Sequence, residues 1–251
     1  MIRHFLFALS LMIGLASALP SNATTLTVSA AASLRDAFTE IGAEFEKANP
    51  PHRVQFNFGG SGQLLQQLKR GAPVDVFASA DIATMDGAEA ANLIFRDGRA
   101  NFARNQMVLV IPPDSRLAPR TMDDLREPGY ARIAIGNPES VPAGHYAMMA
   151  MVDAGLWDAL KPKTVNTQNV RQTLDYVARG EADAGFVYLT DALTMRDRVK
   201  VAFNVPHKAQ ILYPIAALKG WGNERLARKF VEFVTGEPGQ RILAKYQFAR
   251  P

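Results

Sequence analysis

Strand-like and helix-like segments alternate along most of this 251-residue chain. Short apolar or alternating runs predict β-strands at 26–29, 53–58, 74–77, 107–111, 133–135, 164–165, 185–188 and 211–216. Between them, apolar residues at helical spacing predict helices at 33–45, 64–71, 146–153 and 171–179, and two more within 223–246. This alternation predicts an α/β protein with largely parallel sheets.

The order of the segments predicts two lobes. The strands at 107–111 and 211–216 bracket a middle part that has its own strands and helices, and the C-terminal helices can return to the first part. We therefore predict that residues 24–105 and 213–251 form lobe 1 and that 106–212 form lobe 2. Each lobe is expected to be a mostly parallel sheet flanked by helices. A ligand cleft is expected between the lobes, where such sheets bind ligands at the carboxyl ends of their strands.

The start of the chain has the pattern of a secretion signal. Two basic residues precede an apolar run at 5–16, and small residues then permit cleavage after Ala18 or Ala23. The pattern predicts a cleavable signal peptide over 1–23 and a periplasmic location. The alternative is a membrane anchor, for which the apolar run is short.

Composition excludes several kinds of site. The chain has no cysteine, so disulfides, thiolate metal sites and a lipid-modified cysteine are excluded. Lys and Arg residues are scattered rather than clustered, so the net charge of +4 does not predict a nucleic-acid partner. The histidines do not have the spacing of a metal site.

Five short segments at strand ends or helix starts offer a small hydroxyl, a phenol or an unobstructed backbone N–H group. They are Ala31-Ala32-Ser33-Leu34, Gly59-Gly60-Ser61-Gly62, Val141-Pro142-Ala143-Gly144, Asn169-Val170-Arg171 and Val187-Tyr188. Four of them precede a helical segment, where the first turn has N–H groups without intrahelical partners and the helix dipole favours an anion. Together they predict a pocket that holds a small oxyanion through neutral hydrogen bonds.

Four motifs carry a resemblance to a known family. They are Ala-Ala-Ala-Ser-Leu (30–34), Gly-Ala-Pro-Val-Asp-Val-Phe-Ala-Ser-Ala-Asp (71–81), Gly-Asn-Pro-Glu-Ser-Val-Pro-Ala-Gly (136–144) and Gly-Phe-Val-Tyr-Leu-Thr-Asp-Ala (185–192). Over nearly its whole mature length, the chain resembles the periplasmic molybdate-binding proteins of ABC importers. The resemblance implies a type II periplasmic-binding fold that closes on molybdate or tungstate. It also implies a membrane permease as partner, a monomer, no cofactor and no enzymatic activity.

The resemblance also implies a role for each site residue. Ser33 and Ser61 would each give a hydroxyl and a backbone N–H group to the oxyanion, Ala143 and Val170 would give backbone N–H groups, and Tyr188 would give its phenol. All five would hold the molybdenum oxyanion through its oxygens, with no direct metal ligand. The chain departs from the family at Gly59-Gly60-Ser61-Gly62, which has one hydroxyl where the family often has a run of serines.

Four of the five segments also have a purely structural interpretation. Ser33 has the spacing of a helix N-cap with Asp36 as its capping-box partner, and Tyr188 has the place of a packed aromatic with a hydrated hydroxyl. Other oxyanions, such as sulfate or thiosulfate, are alternative ligands. An alternative from another class is a secreted serine hydrolase, but the Gly-x-Ser-x-Gly motif fails around Ser61 because residue 63 is Gln. His145 and Glu139, beside the Val-Pro-Ala-Gly turn, have no assigned role.

Overall fold

The structure, a computed structural model, describes residues 23–251. The predicted signal peptide therefore lies, except for Ala23, outside the described residues. Within 23–251, no helix combines the length and the apolar character needed to cross a membrane.

The described part of the chain contains ten strands and nine α-helices. The strands are β1 (Thr25–Ala31), β2 (Arg53–Gly59), β3 (Val76–Ala78), β4 (Ala100–Asn105), β5 (Met107–Ile111), β6 (Ile133–Gly136), β7 (Thr164–Thr167), β8 (Ala184–Tyr188), β9 (Lys200–Asn204) and β10 (Ile211–Ala217). The helices are α1 (Arg35–Ala48), α2 (Ser61–Lys69), α3 (Ile82–Ala90), α4 (Pro142–Asp153), α5 (Trp157–Leu160), α6 (Val170–Ala178), α7 (Leu189–Thr194), α8 (Glu224–Thr235) and α9 (Glu237–Lys245).

The strands form two five-stranded sheets. The first sheet has the order β2-β1-β3-β10-β4 and the second has the order β7-β6-β8-β5-β9. In the first sheet only β10 runs against its neighbours, and in the second only β5 does so. Each sheet is therefore mostly parallel, as the alternation of strands and helices predicts. We call each sheet with its packed helices the first lobe and the second lobe.

The chain crosses between the lobes twice. Only Gln106 separates β4 of the first sheet from β5 of the second, and residues 205–210 lead from β9 back to β10. The reversed strand in each sheet is the first strand after a crossing. Helices α8 and α9 follow β10 and pack on the first lobe, against β10, β4 and α1.

Burial explains which strands the sequence reveals. Strands β5 and β8 are buried along their whole length, so the sequence of each is a continuous apolar run. Strands β4 and β9 were not predicted, because neither is a continuous apolar run and neither has the regular alternation that identifies the edge strand β2.

Candidate functional site

The five residues predicted to bind ligand lie around one small cavity between the lobes. Ser33 and Ser61 reach it from the first lobe, and Ala143, Val170 and Tyr188 reach it from the second. The rest of the wall consists of Ala31, Ala32, Gly59, Gly60, Ala80, Val141, Pro142 and Asn169. The cavity volume is about 10 Å³, close to the space that one buried water molecule needs. No residue of this wall has a charged side chain, so its polar contacts come from neutral groups.

The topology explains why these residues meet. Ser33 follows β1, Ser61 follows β2, Ala143 follows β6 and Val170 follows β7, while Tyr188 is the last residue of β8. Within each sheet these strands are parallel, so their carboxyl ends lie at one edge. The cavity lies where these edges of the two sheets face each other, which is the expected place for a ligand site in such folds.

Two helix starts in the second lobe leave backbone N–H groups free. The side chain of Asn169 caps α6 by accepting from the N–H groups of Arg171 (3.0 Å) and Gln172 (3.1 Å), which leaves the N–H of Val170 outside the cap. Helix α4 has no side-chain cap, and its first residue is a proline without an N–H group. Ala143 therefore carries the first N–H group of α4.

Two helix starts in the first lobe have the same property. A 3₁₀ turn over Ala32–Leu34 precedes α1, and helix α2 begins at Ser61; neither start has a side-chain cap. The alternative interpretation, in which Ser33 caps a helix with Asp36 as its partner, is wrong: Ser33 lies inside the 3₁₀ turn, and its hydroxyl bonds elsewhere.

The three hydroxyl groups are buried. The Oγ of Ser33 lies 3.1 Å from the Oη of Tyr213, and the Oγ of Ser61 accepts a 3.1 Å hydrogen bond from the N–H of Ala80. The hydroxyl of Tyr188 has no hydrogen-bond partner within the described residues. Tyr188 is 1% exposed, so bulk solvent does not reach its hydroxyl. A buried donor without a partner is costly, and this one belongs to a residue of the cavity wall.

Burial also sets the proton state of the phenols. It raises the pKa of Tyr188 well above the usual value, and it does the same for Tyr213. Both phenols therefore keep their protons, and with them the ability to donate, throughout the neutral range.

The glycines beside Ser61 allow the two lobes to touch. A Cβ on Gly62 would lie 2.9 Å from both the Cα and the carbonyl oxygen of Ser140, and a Cβ on Gly60 would lie 2.9 Å from the carbonyl oxygen of Gln168. The N–H of Gly62 donates to the carbonyl of Ser140 across the lobes, at 3.0 Å. In this structure the backbone of the second lobe therefore leaves no room for a side chain at positions 60 and 62.

Charged groups lie near the cavity but outside its wall. Arg171, the second residue of α6, contacts Asp191 of its own lobe at 2.5 Å and Asp36 of the first lobe at 2.7 Å. Burial opposes the charge of Arg171, but the attraction of the two carboxylates outweighs it and raises the pKa of the guanidinium. Its charge is therefore balanced locally.

Sequence reasoning missed two polar residues behind Ser33. Tyr213 on β10 bonds Ser33, and the Nδ2 of Asn105, the last residue of β4, donates to the Oη of Tyr213 at 3.2 Å. These residues are far apart in sequence, and each lies in a strand whose pattern indicates only a place in a sheet. No local signal in the sequence identifies them.

The residues left without a role by the sequence lie elsewhere. His145 and Glu139 line a larger groove of about 630 Å³ beside α2 and α4, and neither lines the small cavity. Within 23–251, no cluster of three or more His, Asp or Glu residues could hold a metal ion. The Ser61 hydroxyl bonds a backbone N–H group rather than an imidazole or a carboxylate, so the described residues do not give Ser61 the base that a serine hydrolase needs.

A two-lobed α/β fold with a small cavity between its lobes, lined by neutral hydrogen-bond donors, is typical of a solute-binding protein. The family model of bacterial extracellular solute-binding proteins matches residues 26–249, and the chain belongs to this family. The resemblance predicted from the motifs is confirmed by the relatives that this chain matches.

Three known proteins illustrate the match. The molybdate-binding protein ModA of Mycobacterium tuberculosis is 40% identical, with 91% of this chain and 86% of that protein covered. The solved substrate-binding domain of a putative molybdenum ABC transporter from Clostridium difficile is 36% identical, with a TM-score of 0.68 and coverage of 91% and 99%. The periplasmic molybdate-binding protein of Azotobacter vinelandii, 24% identical, has the same fold, with a TM-score of 0.79 and coverage of 90% and 99%. The predicted type II fold is confirmed.

Proposed function

We propose that this protein captures molybdate, and also tungstate, in the periplasm and delivers it to the membrane permease of an ABC importer. The observation that carries the proposal is the cavity wall, which offers neutral donors from both lobes and includes the buried, unpartnered hydroxyl of Tyr188. The relatives from Mycobacterium tuberculosis and Clostridium difficile support the choice of ligand.

The five predicted binding residues contribute different donors to the ligand. Ser33 and Ser61 contribute a hydroxyl and a backbone N–H group each, Ala143 and Val170 contribute N–H groups at helix starts, and Tyr188 contributes its phenol. Hydrogen bonds to a charged acceptor are worth about 1.5–3 kcal/mol each, so several of them offset the cost of desolvating a dianion. The helix dipoles add a favourable field without adding a counter-ion.

A wall of donors selects by protonation as well as by charge. Hydrogen phosphate carries an O–H group that needs an acceptor, and a donor-only wall leaves that group unpaired. Size then separates molybdate and tungstate from the smaller sulfate. Sulfate or thiosulfate remains the second candidate ligand, because each is also a fully deprotonated dianion.

We further propose the lobe boundaries and the assembly expected from the sequence. Lobe 1 comprises 24–105 and 213–251, and lobe 2 comprises 106–212. The change of sheet at Gln106 supports the first boundary, while β10 begins at Ile211, slightly before the second. The protein acts as a monomer after removal of its signal peptide, without a cofactor, a catalytic step or a nucleic-acid partner.

Titration calorimetry tests this function directly. The mature chain from residue 24 is refolded from denaturant to remove bound ligand and is titrated with molybdate, tungstate, sulfate and phosphate. We expect strong binding of the first two, weak binding of sulfate and still weaker binding of phosphate. Thermal melts should rank the four anions in the same way, since a ligand stabilises the native state according to its affinity. Equal shifts with all four would contradict selection by size, and a shift with phosphate alone would contradict the donor-only wall.

A further inference from the structure

A chain of hydrogen bonds runs behind Ser33, away from the cavity. The Oη of Tyr213 lies 3.1 Å from the Oγ of Ser33, and the Nδ2 of Asn105 lies 3.2 Å from the same Oη. The Nδ2 of Asn105 also donates to the Oγ1 of Thr190 in the second lobe, at 2.8 Å. Tyr213 is fully buried, so no water competes for its hydroxyl.

The direction of this chain is fixed by a backbone group. The N–H of Gln106 donates to the Oδ1 of Asn105 at 2.9 Å, which identifies the other atom of that amide as the nitrogen. The amide nitrogen can only donate, so the oxygen of Tyr213 accepts. The hydrogen of Tyr213 then has Ser33 Oγ as its acceptor, because a buried phenol hydrogen left unpaired would be costly. Ser33 accepts this bond, and its own hydrogen is free for the cavity.

We propose that Asn105 and Tyr213 are positioning residues that hold Ser33 as a hydrogen-bond donor and thereby make the site reject protonated oxyanions. This inference rests on the proposed function. Neither residue lines the cavity, and both act through the orientation of one hydroxyl.

The hydroxyls of Ser61 and Tyr188 are also left to donate their hydrogens into the cavity. The Oγ of Ser61 accepts from the N–H of Ala80, so its hydrogen is also left for the cavity. The hydroxyl of Tyr188 has no partner among the described residues and keeps its proton because burial raises its pKa. Ser33 is the one wall hydroxyl whose direction is set by side chains, so it is the one that substitution can reverse.

The substitution Asn105→Asp reverses the chain. A carboxylate oxygen accepts where the amide nitrogen donates, so the hydrogen of Tyr213 turns toward residue 105 and the hydrogen of Ser33 turns toward Tyr213. Ser33 then presents a lone pair to the cavity. Sulfate and hydrogen phosphate provide the readout, because they have similar size and, at pH 8, the same charge, but only hydrogen phosphate carries a proton. The added charge repels both alike and cancels from their ratio.

The experiment measures sulfate and phosphate at pH 8 as competitors of molybdate on the refolded mature protein and on Asn105→Asp. We expect molybdate to bind at least tenfold more weakly to the variant. The ratio of the hydrogen phosphate affinity to the sulfate affinity should rise at least tenfold. Tyr213→Phe removes the constraint on the Ser33 hydroxyl without reversing its direction. It should weaken molybdate binding about tenfold and change the ratio of phosphate to sulfate affinity less. Tyr130→Phe removes another buried phenol outside the site and should change neither quantity.

The outcomes separate the two proposals. If the parent protein does not bind molybdate, the proposed function is wrong and the inference about Ser33 fails with it. If the parent binds molybdate but Asn105→Asp weakens sulfate and phosphate by the same factor, the inference is overturned while the proposed function stands. Melting of each variant without ligand shows whether it is folded. Should Asn105→Asp not fold, an unchanged phosphate-to-sulfate ratio in Tyr213→Phe overturns the inference.

Discussion

Arg171 and Asp36 form an ion pair across the two lobes, with 2.7 Å between Nη2 and Oδ2. Arg171 follows Val170, whose N–H group belongs to the cavity wall, and its Nε is held by the fully buried Asp191 of the same lobe. Asp36 lies on α1, directly after the turn that carries Ser33. The pair therefore joins two donor segments of the cavity from outside, and it exists only when the lobes are in contact.

We expect Asp36→Asn to weaken molybdate binding about two- to fivefold. Asp36 is half-exposed, and pairs of this kind contribute about 0.5–1 kcal/mol. The loss should appear mainly as faster release in stopped-flow measurements, because the pair holds the lobes together. It should shrink at high salt, which screens the pair in the parent protein.

The control for this variant is Asp97→Asn. Asp97 pairs with Arg228 at 3.3 Å, and both residues belong to the first lobe. Removing this pair leaves contact between the lobes unchanged, so affinity and release rate should equal those of the parent. Equal effects of the two variants would show that Asp36 acts only through general charge.

Gly62→Ala should separate folding from binding. The added Cβ would lie 2.9 Å from backbone atoms of Ser140, so the lobes could not approach as closely, and we expect at least a tenfold loss of molybdate affinity. Alanine is favoured over glycine inside a helix by up to about 1 kcal/mol, so the ligand-free melting temperature should stay the same or rise. Calorimetry and thermal melts measure the two effects.

Gly87→Ala is the matched control, because it makes the same change inside α3 of the same lobe. There the new Cβ meets only a side-chain methyl group of Leu65, which can move. We expect unchanged affinity. A normal affinity for Gly62→Ala would mean that the lobes bind ligand without this close contact.

The contrast between Gly60 and Gly62 and the five predicted binding residues shows what the sequence can reveal. Each wall residue sits in a local pattern, a strand end followed by a helix start, so its donors are predictable from a few neighbours. The need for glycine at 60 and 62 comes from Gln168 and Ser140, which the chain brings close only after both lobes have formed. Contacts of this kind leave no local pattern in the sequence.

The same limit applies to the fold. Buried strands such as β5 and β8 are continuous apolar runs and were predicted, whereas β4 and β9, which have neither an apolar run along their length nor a regular alternation, were not. Asn105 ends β4, whose sequence pattern is weak, and its hydrogen-bond partner Tyr213 lies far away in sequence on β10. For both reasons the sequence did not indicate that Asn105 lies behind Ser33.

Tyr188→Phe and Ser61→Ala should affect stability differently although both remove a donor. The Tyr188 hydroxyl has no partner among the described residues, so its loss should leave the ligand-free stability unchanged or slightly raised. Ser61 accepts from the N–H of Ala80, so Ser61→Ala leaves that buried N–H unpaired and should destabilise by about 1–3 kcal/mol. Molybdate affinity should fall about ten- to hundredfold in both.

Urea unfolding and calorimetry on the two variants check this pair of expectations. A lower stability of Tyr188→Phe with normal affinity would make the phenol a structural group. Normal affinity in both variants would place the ligand elsewhere.

The buried tyrosines predict how the protein responds to alkaline pH. Burial raises the pKa of Tyr130 to about 12, and it raises the pKa values of Tyr146, Tyr188 and Tyr213 as well. In the unfolded chain a tyrosine loses its proton near pH 10. Above that pH the folded protein holds more protons than the unfolded one, so the free energy of unfolding falls as pH rises; below it these groups add no pH dependence. Because the hydroxyl donors of the wall do not titrate below pH 10, molybdate affinity should be constant from pH 7 to 9.

Tyr130→Phe removes one of these buried phenols without changing the ligand cavity, so it measures what that phenol contributes to the pH dependence of stability. The parent should lose stability more steeply than this variant between pH 10 and about 12, by up to about 1.4 kcal/mol per pH unit, because the variant has one proton less to release on unfolding. Urea unfolding at pH 9, 10 and 11 measures the two slopes, and calorimetry at pH 7, 8 and 9 measures affinity. Parallel slopes would mean that the Tyr130 phenol titrates in the folded protein as it does in the unfolded chain. An affinity that falls between pH 7 and 9 would mean that a group other than the phenols titrates at the ligand.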